Sequence, residues 1–410
     1  MNAEEFLDTI NKKENHTAVE DMQNVMNIIS NVKQQGDAAL KSYTKDFDRV
    51  DIENFKVPEK ILDDSLNSLS GEERQALAHI TGRIKEYQES IKYSDIDNDE
   101  FKYVYRPLEK VGIYIPGGTA LYPSSVLMTV VPALIAGVKE IHVVTPTFNT
   151  NNMTFGALRI LGVDNVYTVG GAQAVAALAY GTETIPKVDK IVGPGNKFVA
   201  LAKKLVFGDV GIDMIAGPSE ILLYVDDTAD PAHIAYDIFA QAEHDVNART
   251  FLLSESTDTI DRVDKEIERL IESLDRKEIV KESLQNNHYK IADTRERLIK
   301  IINEISPEHV SIQHQDSAEI ISDIHYAGAV FEGTYSPEAA GDYAAGPSHV
   351  LPTDGTGRFS HGLNVNDFLT SHAVINLKKE TFDEIAEDAK LLAAKEGLSA
   401  HYESLNIRTE

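Results

Sequence analysis

The residues able to move protons or hold a metal fall in a few short segments of this chain. Pro307-Glu308-His309 sets a carboxylate beside an imidazole, two proton-transfer groups of different intrinsic pKa. Neighbours in a regular strand point to opposite faces, so both reach one site only where the backbone bends, and Pro307 offers that bend. Gln241 and His244 are three apart on a helical pattern, about 60° from one another on the wheel. An amide oxygen and a neutral imidazole nitrogen so placed can converge on one ion. Gly341-Asp342-Tyr343-Ala344-Ala345-Gly346-Pro347-Ser348-His349 is a turn-rich loop carrying Asp342 and His349, and Glu396-Gly397-Leu398-Ser399-Ala400-His401 lies near the C-terminus. Each segment by itself also suits a plain role: a structural Glu-His pair, a solvated helix face, a surface connection, a terminal histidine in water.

Composition narrows the chemistry. The 410 residues include no cysteine and no tryptophan, and 39 basic against 66 acidic side chains give a net charge of −27. Disulfides, thiolate nucleophiles, Cys-ligated iron–sulfur clusters and Cys-based zinc sites are excluded. A metal must be held by histidine, carboxylate or amide oxygen. So acidic a surface argues against nucleic acid, whose binding rests on Lys and Arg. The share of hydrophobic residues, 42%, and of charged ones, 26%, is that of a globular protein. The longest apolar stretch, 126–138, is too short to span a bilayer and contains Thr129 and Pro132, so no membrane partner is expected. Residues 1–15 read as a charged helix without the apolar core of a secretory signal, and a cytoplasmic setting is expected.

The elements that must position these groups show in the patterning. Segments 31–43, 58–70 and 71–93 carry apolar residues at three-to-four spacing on a charged background, which predicts helices. From residue 101, β-branched runs at 111–115, 140–144, 165–169, 190–192 and 221–225 alternate with Ala/Leu/Val-rich helical stretches. Such alternation predicts βαβ units and a mostly parallel sheet. Asp230-Pro231 is a helix start, with a cap followed by proline at the first helical position, and that helix should reach Ala242. A strand at 249–253, charged helices, and a short strand at 306–309 follow. Residues 323–372 read as loop, and 380–396 as a last helix ending at Gly397 before a short tail.

Glycine turns punctuate the strand ends at Pro116-Gly117-Gly118, Gly170-Gly171 and Gly193-Pro194-Gly195. Gly193-Pro194-Gly195-Asn196-Lys197-Phe198 follows a strand and opens a helix, where main-chain amides can face an anion. The dinucleotide fingerprint is incomplete, because Phe198 replaces its third glycine and no acidic ribose partner stands out about 20 residues on. An ordinary strand-to-helix turn fits as well.

Taken in order, the motifs resemble those of the histidinol dehydrogenase family. They are Val111-Gly112-Ile113-Tyr114-Ile115-Pro116-Gly117-Gly118, Gly170-Gly171-Ala172-Gln173-Ala174, Gly193-Pro194-Gly195-Asn196, Ala216-Gly217-Pro218-Ser219-Glu220, Gln241-Ala242-Glu243-His244, Pro307-Glu308-His309, Gly341-Asp342-Tyr343-Ala344, His349-Val350-Leu351-Pro352-Thr353 and Glu396-Gly397-Leu398-Ser399-Ala400-His401. The wording departs from the family around Pro347-Ser348 and Phe359-Ser360-His361-Gly362, which touches loop detail only.

The resemblance implies an α/β fold of two Rossmann-like parallel-sheet domains with a helical N-terminal segment and a C-terminal tail. One domain would comprise residues 1–108 and 222–363, the second 109–221, and 364–410 an extension for dimer contact. It implies a zinc- and NAD-dependent oxidation of L-histidinol, through L-histidinaldehyde, to L-histidine, the last two steps of histidine biosynthesis. Gln241, His244, Asp342 and His401 would hold one zinc per subunit. Ser219, Gln241, His244, His309, Asp342, Glu396 and His401 would surround the substrate, with His349 nearby, and Tyr114, Gln173 and Asn196 would contact NAD. His309 would take the alcohol proton, and Glu308 would activate the water that hydrates the aldehyde. A homodimer whose two sites each borrow the other chain's tail is also implied. A zinc hydrolase with Glu308 as base leaves the glycine turns unexplained and lacks a His-Glu-x-x-His helix. A dehydrogenase for another amino alcohol and a non-catalytic metal-binding relative are further alternatives.

Overall fold

The computed structural model describes residues 4–6, 19–117, 122–146 and 152–409. Most of the 1–15 stretch, and Gly118 of the first glycine turn, lie outside the described residues. Helices α1 (Val19–Gln35), α2 (Asp37–Tyr43), α3 (Glu59–Ser68) and α4 (Gly71–Ile91) come first. The predicted 31–43 helix is divided at Gly36, whose φ of 54° is left-handed. Strands β1 (Ile96–Asp97) and β2 (Phe101–Pro107) follow.

The βαβ pattern then appears as read. β3 (Lys110–Tyr114), α5 (Pro123–Ala136), β4 (Glu140–Thr145), α6 (Asn152–Ile160), β5 (Asn165–Thr168), α7 (Gly171–Tyr180), β6 (Lys190–Val192), α8 (Lys197–Val206) and β7 (Gly211–Ile212) build one parallel sheet of order β5-β4-β3-β6-β7. The apolar 126–138 stretch lies mostly in α5, a helix buried on nearly every side, as an all-round hydrophobic helix must be. Among the described residues no helix is long and apolar enough to cross a membrane. Val25, Ile29 and Val32 of α1 join the core formed by α7 and α8 on this sheet.

A second parallel sheet repeats the plan. β8 (Glu220–Val225), α9 (Pro231–Ala242), β9 (Arg249–Ser254), α10 (Thr257–Leu270), α11 (Lys277–Asn287), β10 (His288–Ala292), α12 (Arg295–Ile305), β11 (His309–Gln313), α13 (Ser317–Ser322) and β12 (Ala329–Glu332) give the order β10-β9-β8-β11-β12. β10 and β12, the two edges, were not expected, and each is only four or five residues long. The strand read at 306–309 starts instead at His309. Ser306 closes α12 in a left-handed conformation at φ 49°, and Pro307 has no N–H to give to a ladder.

α14 (Glu338–Tyr343), β13 (Leu369–Ile375), α15 (Lys379–Lys395) and α16 (Ser399–Asn406) complete the chain. Residues 323–372, read as loop, thus contain β12, α14 and the start of β13. The segment after Gly397, read as a short tail, is the helix α16. Two units are distinguished: residues 1–91 with 108–368, which hold both parallel sheets, and residues 92–107 with 369–410. In the second unit β1, β2 and β13 form an antiparallel sheet and α15 packs on α16.

Candidate active site

Within the first unit the Glu-His pair sits where the second sheet begins. His309 is the first residue of β11, and Glu308 immediately precedes it, so Glu308 lies outside the strand and is not bound by its alternation. Both are buried, with His309 Nδ1 3.8 Å from Glu308 Oε2. Gly328 permits this arrangement, because a Cβ there would stand 2.4 Å from the Glu308 carbonyl oxygen. His309 Nδ1 lies 2.8 Å from the Glu220 carbonyl oxygen and 3.1 Å from Gln241 Oε1. Two acceptors at Nδ1 fix that nitrogen as the protonated one and leave Nε2 as the base. Burial pulls the imidazole down to about 4. The same burial pushes Glu308 well above the usual carboxylate range, opposed by the Glu220 N–H that its carboxylate accepts at 2.9 Å and reinforced by the charges of Glu220 and Asp342.

Helix α9 brings the amide. Asp230 caps it by accepting from the Ala232 N–H at 2.9 Å, with proline next, as the sequence predicted. Gln241 is buried in its last turn, and His244 follows in the turn beyond, with its N–H on the Gln241 carbonyl. His244 Nε2 stands 4.0 Å from Asp342 Oδ2 of α14. His349 donates from Nδ1 to the Asp342 carbonyl at 3.0 Å, while its Nε2 is 3.2 Å from Ser125 Oγ. Ser219 directly precedes Glu220, and its carbonyl accepts from the Arg249 N–H. Glu396 and His401 are exposed residues of the second unit, at the C-terminal cap of α15 and in α16.

A residue not anticipated from the sequence joins the cluster. Glu338, buried at the start of α14, has Oε1 3.7 Å from His309 Nδ1, and its Oε2 has no hydrogen-bond partner among the described residues. Ligand atoms of His244, Glu338 and Asp342 all lie within 4.8 Å of one another. Burial, then the charges of Asp342 and Glu308, push Glu338 well above its ordinary value, and burial raises Asp342 against the pull of His244. Imidazole and carboxylate oxygens gathered around an orphaned buried oxygen are a donor set that fits a divalent cation. A cavity of about 380 Å³ lined by His309, Asp342, Phe331 and His349 adjoins it. Its size suits a small molecule.

The residues read as cofactor contacts come together elsewhere, at the carboxyl ends of β3, β5 and β6. Tyr114, Gln173 and Asn196 line one cavity of about 720 Å³ with Gly117, Pro146 and Phe198, closed on one side by Tyr43 and Phe47. Gly193 has φ 112°, and a Cβ there would stand 2.2 Å from the Tyr114 carbonyl oxygen, so only glycine serves. Asp213, twenty residues on, accepts the Gly193 N–H at 2.7 Å and pairs with the buried Lys203, so it braces the turn. Asn196 Oδ1 caps α8 by accepting the Phe198 and Val199 N–H groups, leaving its amide NH₂ for a ligand. The Tyr114 hydroxyl accepts the Gly171 N–H at 3.0 Å, and burial pushes it up to about 12. Gln173 is buried, with Oε1 unpartnered among the described residues. A cleft with two helix N-termini and an orphaned amide oxygen fits a dinucleotide.

A family model described as histidinol dehydrogenase matches residues 11–409. The chain belongs to the histidinol dehydrogenase family. It is 51% identical over 389 residues to the histidinol dehydrogenase of Staphylococcus saprophyticus, covering 94% of this chain and 92% of that one. Against the Staphylococcus epidermidis (RP62A) enzyme of the same name it is 47% identical over the full length of both. The crystal structure of histidinol dehydrogenase from Elizabethkingia anophelis matches with a TM-score of 0.92 at 34% identity, over 97% of this chain and 94% of that one. An acetylating aldehyde dehydrogenase of Geobacillus thermoglucosidasius, 13% identical with a TM-score of 0.50, shares the fold alone. Family membership makes the chain an oxidoreductase acting on a CH–OH group, with a role in histidine biosynthesis.

Proposed function

We propose that this chain oxidises L-histidinol through L-histidinaldehyde to L-histidine, using zinc and two molecules of NAD. The observation that carries the reading is the convergence of Glu308, His309, Gln241, His244 and Asp342 on one patch of the first unit. Gln241, His244 and Asp342, with His401 as fourth ligand, would hold one zinc per subunit, and Tyr114, Gln173 and Asn196 would hold NAD. Zinc held there would supply an anchor that orients the substrate, and NAD would supply the hydride acceptor. Ser219, His349 and Glu396 would complete the substrate's surroundings.

His309, neutral at physiological pH and protonated on Nδ1, takes the alcohol proton on Nε2. Glu308 removes a proton from the water that adds to the aldehyde, and a carboxylate lifted by burial is a stronger base for that task. Once the first proton has passed from Nε2 to solvent, His309 takes the hydroxyl proton of the hydrate in the second oxidation. The test is a count of NADH: two per L-histidinol consumed, abolished by chelation and restored by zinc. One NADH per substrate, or full turnover in metal-free protein, would reject the proposal.

The working form is proposed to be a cytoplasmic homodimer. Phe101, Ile375, Leu391, Leu392 and Ile407 are exposed on the second unit, the kind of apolar surface that seeks a partner. Glu396 and His401 of each copy would then serve the other's site. Co-expressed Glu308→Gln and His401→Ala chains should recover activity in hybrids, which hold one intact site. Hybrids proven to form yet inactive would exclude the exchange.

A further inference from the structure

Glu220 begins β8, one residue before Ile221, which pairs with the first residue of β11, and is fully buried. Its N–H donates to Glu308 Oε2 at 2.9 Å, and in return the Glu308 N–H donates to Glu220 Oε2 at 3.3 Å. Its carbonyl accepts from His309 Nδ1 at 2.8 Å. One residue therefore engages Glu308 twice and His309 once, by three different groups. Behind it stands Arg249, its neighbour across the β8–β9 ladder, which forms an ion pair with the Glu220 carboxylate. Arg249 is held in turn by Asp354 Oδ1 at 2.6 Å.

We infer that Glu220 is a positioning residue, whose carboxylate and main chain clasp Glu308 and orient His309. The inference rests on the reading of those two residues as the proton-transfer pair. The reciprocal hydrogen bonds leave Glu308 one carboxylate oxygen to aim at water, because Oε2 is committed to the Glu220 N–H. The Gly328 and Ala329 N–H groups hold the Pro307 and Glu308 carbonyls from the β12 side, each at 2.9 Å, and the clasp holds the Glu308 N–H and carboxylate from the β8 side. Arg249 keeps the Glu220 carboxylate at the distance the clasp needs, since a buried carboxylate with a fixed, hydrogen-bonded cation has one preferred place.

Two substitutions separate reach from charge. Glu220→Asp keeps the charge for Arg249 but withdraws the carboxylate by one methylene, out of reach of the Glu308 N–H. Glu220→Gln keeps an oxygen at full reach without the charge. Glu220→Asp should lower kcat for L-histidinaldehyde oxidation on the order of 10²-fold, the scale of a misplacement near 1 Å, with KM little changed. Glu220→Gln should restore most of that kcat. Melting temperatures of both variants separate misplacement from unfolding. Should Glu220→Asp fail to fold, Glu220→Met, which fills the same space but removes the oxygen that accepts the Glu308 N–H, carries the same expectation. Wild-type kcat in the folded Asp variant, or a Gln variant as impaired as the Asp one, would overturn the inference. Glu308→Gln is measured alongside. If it is fully active, the underlying reading falls instead.

Discussion

The two parallel sheets run the same course, with the third, second, first, fourth and fifth strand of each set side by side, yet they present chemistry at opposite ends. In the first sheet the large cavity lies at the carboxyl ends, where Tyr114 ends β3, Pro146 follows β4 and Asn196 follows β6. That is where open α/β sheets leave a crevice as the strand order reverses. In the second sheet Glu220, Arg249 and His309 are the first residues of β8, β9 and β11. Its carboxyl ends are closed by the chain's own charges. His314 lies 3.6 Å from Asp226 and 3.5 Å from Glu255, Glu255 accepts from Tyr224 at 2.8 Å, and Arg295 reaches Glu255 and Asp316. Topology thus offers a crevice at both carboxyl ends, and side-chain chemistry decides which stays open. At the amino end, Glu220, His288 and Glu338 each keep a buried polar atom without a hydrogen-bond partner among the described residues.

The sharpest way to break this comparison is to remove the groups at the amino end of the second sheet. His309→Asn should cost about 10²–10⁴-fold in both oxidations, the usual range for a general base. Glu308→Gln should fall by a similar factor in aldehyde oxidation and less in the first hydride transfer. Separate assays on alcohol and aldehyde, read in a stopped-flow at the NADH absorbance, distinguish them. Equal loss in both half-reactions for Glu308→Gln would contradict its assignment to hydration.

The corresponding test on the first sheet is milder. Gly193→Ala forces a side chain into a left-handed conformation and against the Tyr114 carbonyl, a strain of about 1–3 kcal/mol. KM for NAD should rise while KM for L-histidinol holds, because Asn196 of this turn lines the larger cavity and no residue of the turn lines the smaller one. A rise in both, or in the alcohol KM alone, would mean that the two ends are not separate sites.

Much of this division is legible in the amino-acid sequence, and the reasons differ by region. β-branched runs bounded by glycine turns mark β3 to β6, and Asp230-Pro231 marks the start of α9, because local conformation alone decides them. Residues such as His309 and Asp342 stand out by motif and resemblance. Glu338 lies in none of those motifs and is one carboxylate among 66 acidic side chains, and Glu220 closes one of them with no role attached to it. Their roles arise only when α14 and β8 bring them beside His309. The edge strands β10 and β12 escape notice for a similar reason: their pairing partner, not their composition, makes them strands. His401 is exposed at its place in α16, and its sequence context alone says nothing of what it meets.

The smallest expected effect distinguishes two histidines at the same end of the second sheet. His309 and His288 each begin a strand, and burial pulls both down to about 4. His288 lines neither of the two cavities described above. Its Nδ1 is 2.8 Å from Thr250 Oγ1, and its Nε2 is shut off from water, with Lys290 adding to the downward pull. A histidine whose folded value lies below its unfolded one, ~6.5, binds fewer protons folded than unfolded between those limits. Its contribution is therefore present above the unfolded value and is lost as pH falls toward 4, where the ring charges in both states. The loss amounts to no more than roughly 3 kcal/mol over that window. His288→Asn, which can still hydrogen-bond Thr250, should flatten the acid side of the stability profile while leaving turnover at neutral pH unchanged. Urea unfolding midpoints at pH 7.5 and pH 5 provide the measurement. An unaltered slope would place the acid sensitivity on other groups, and a loss of turnover would mean that the amino end of β10 belongs to the reactive edge after all.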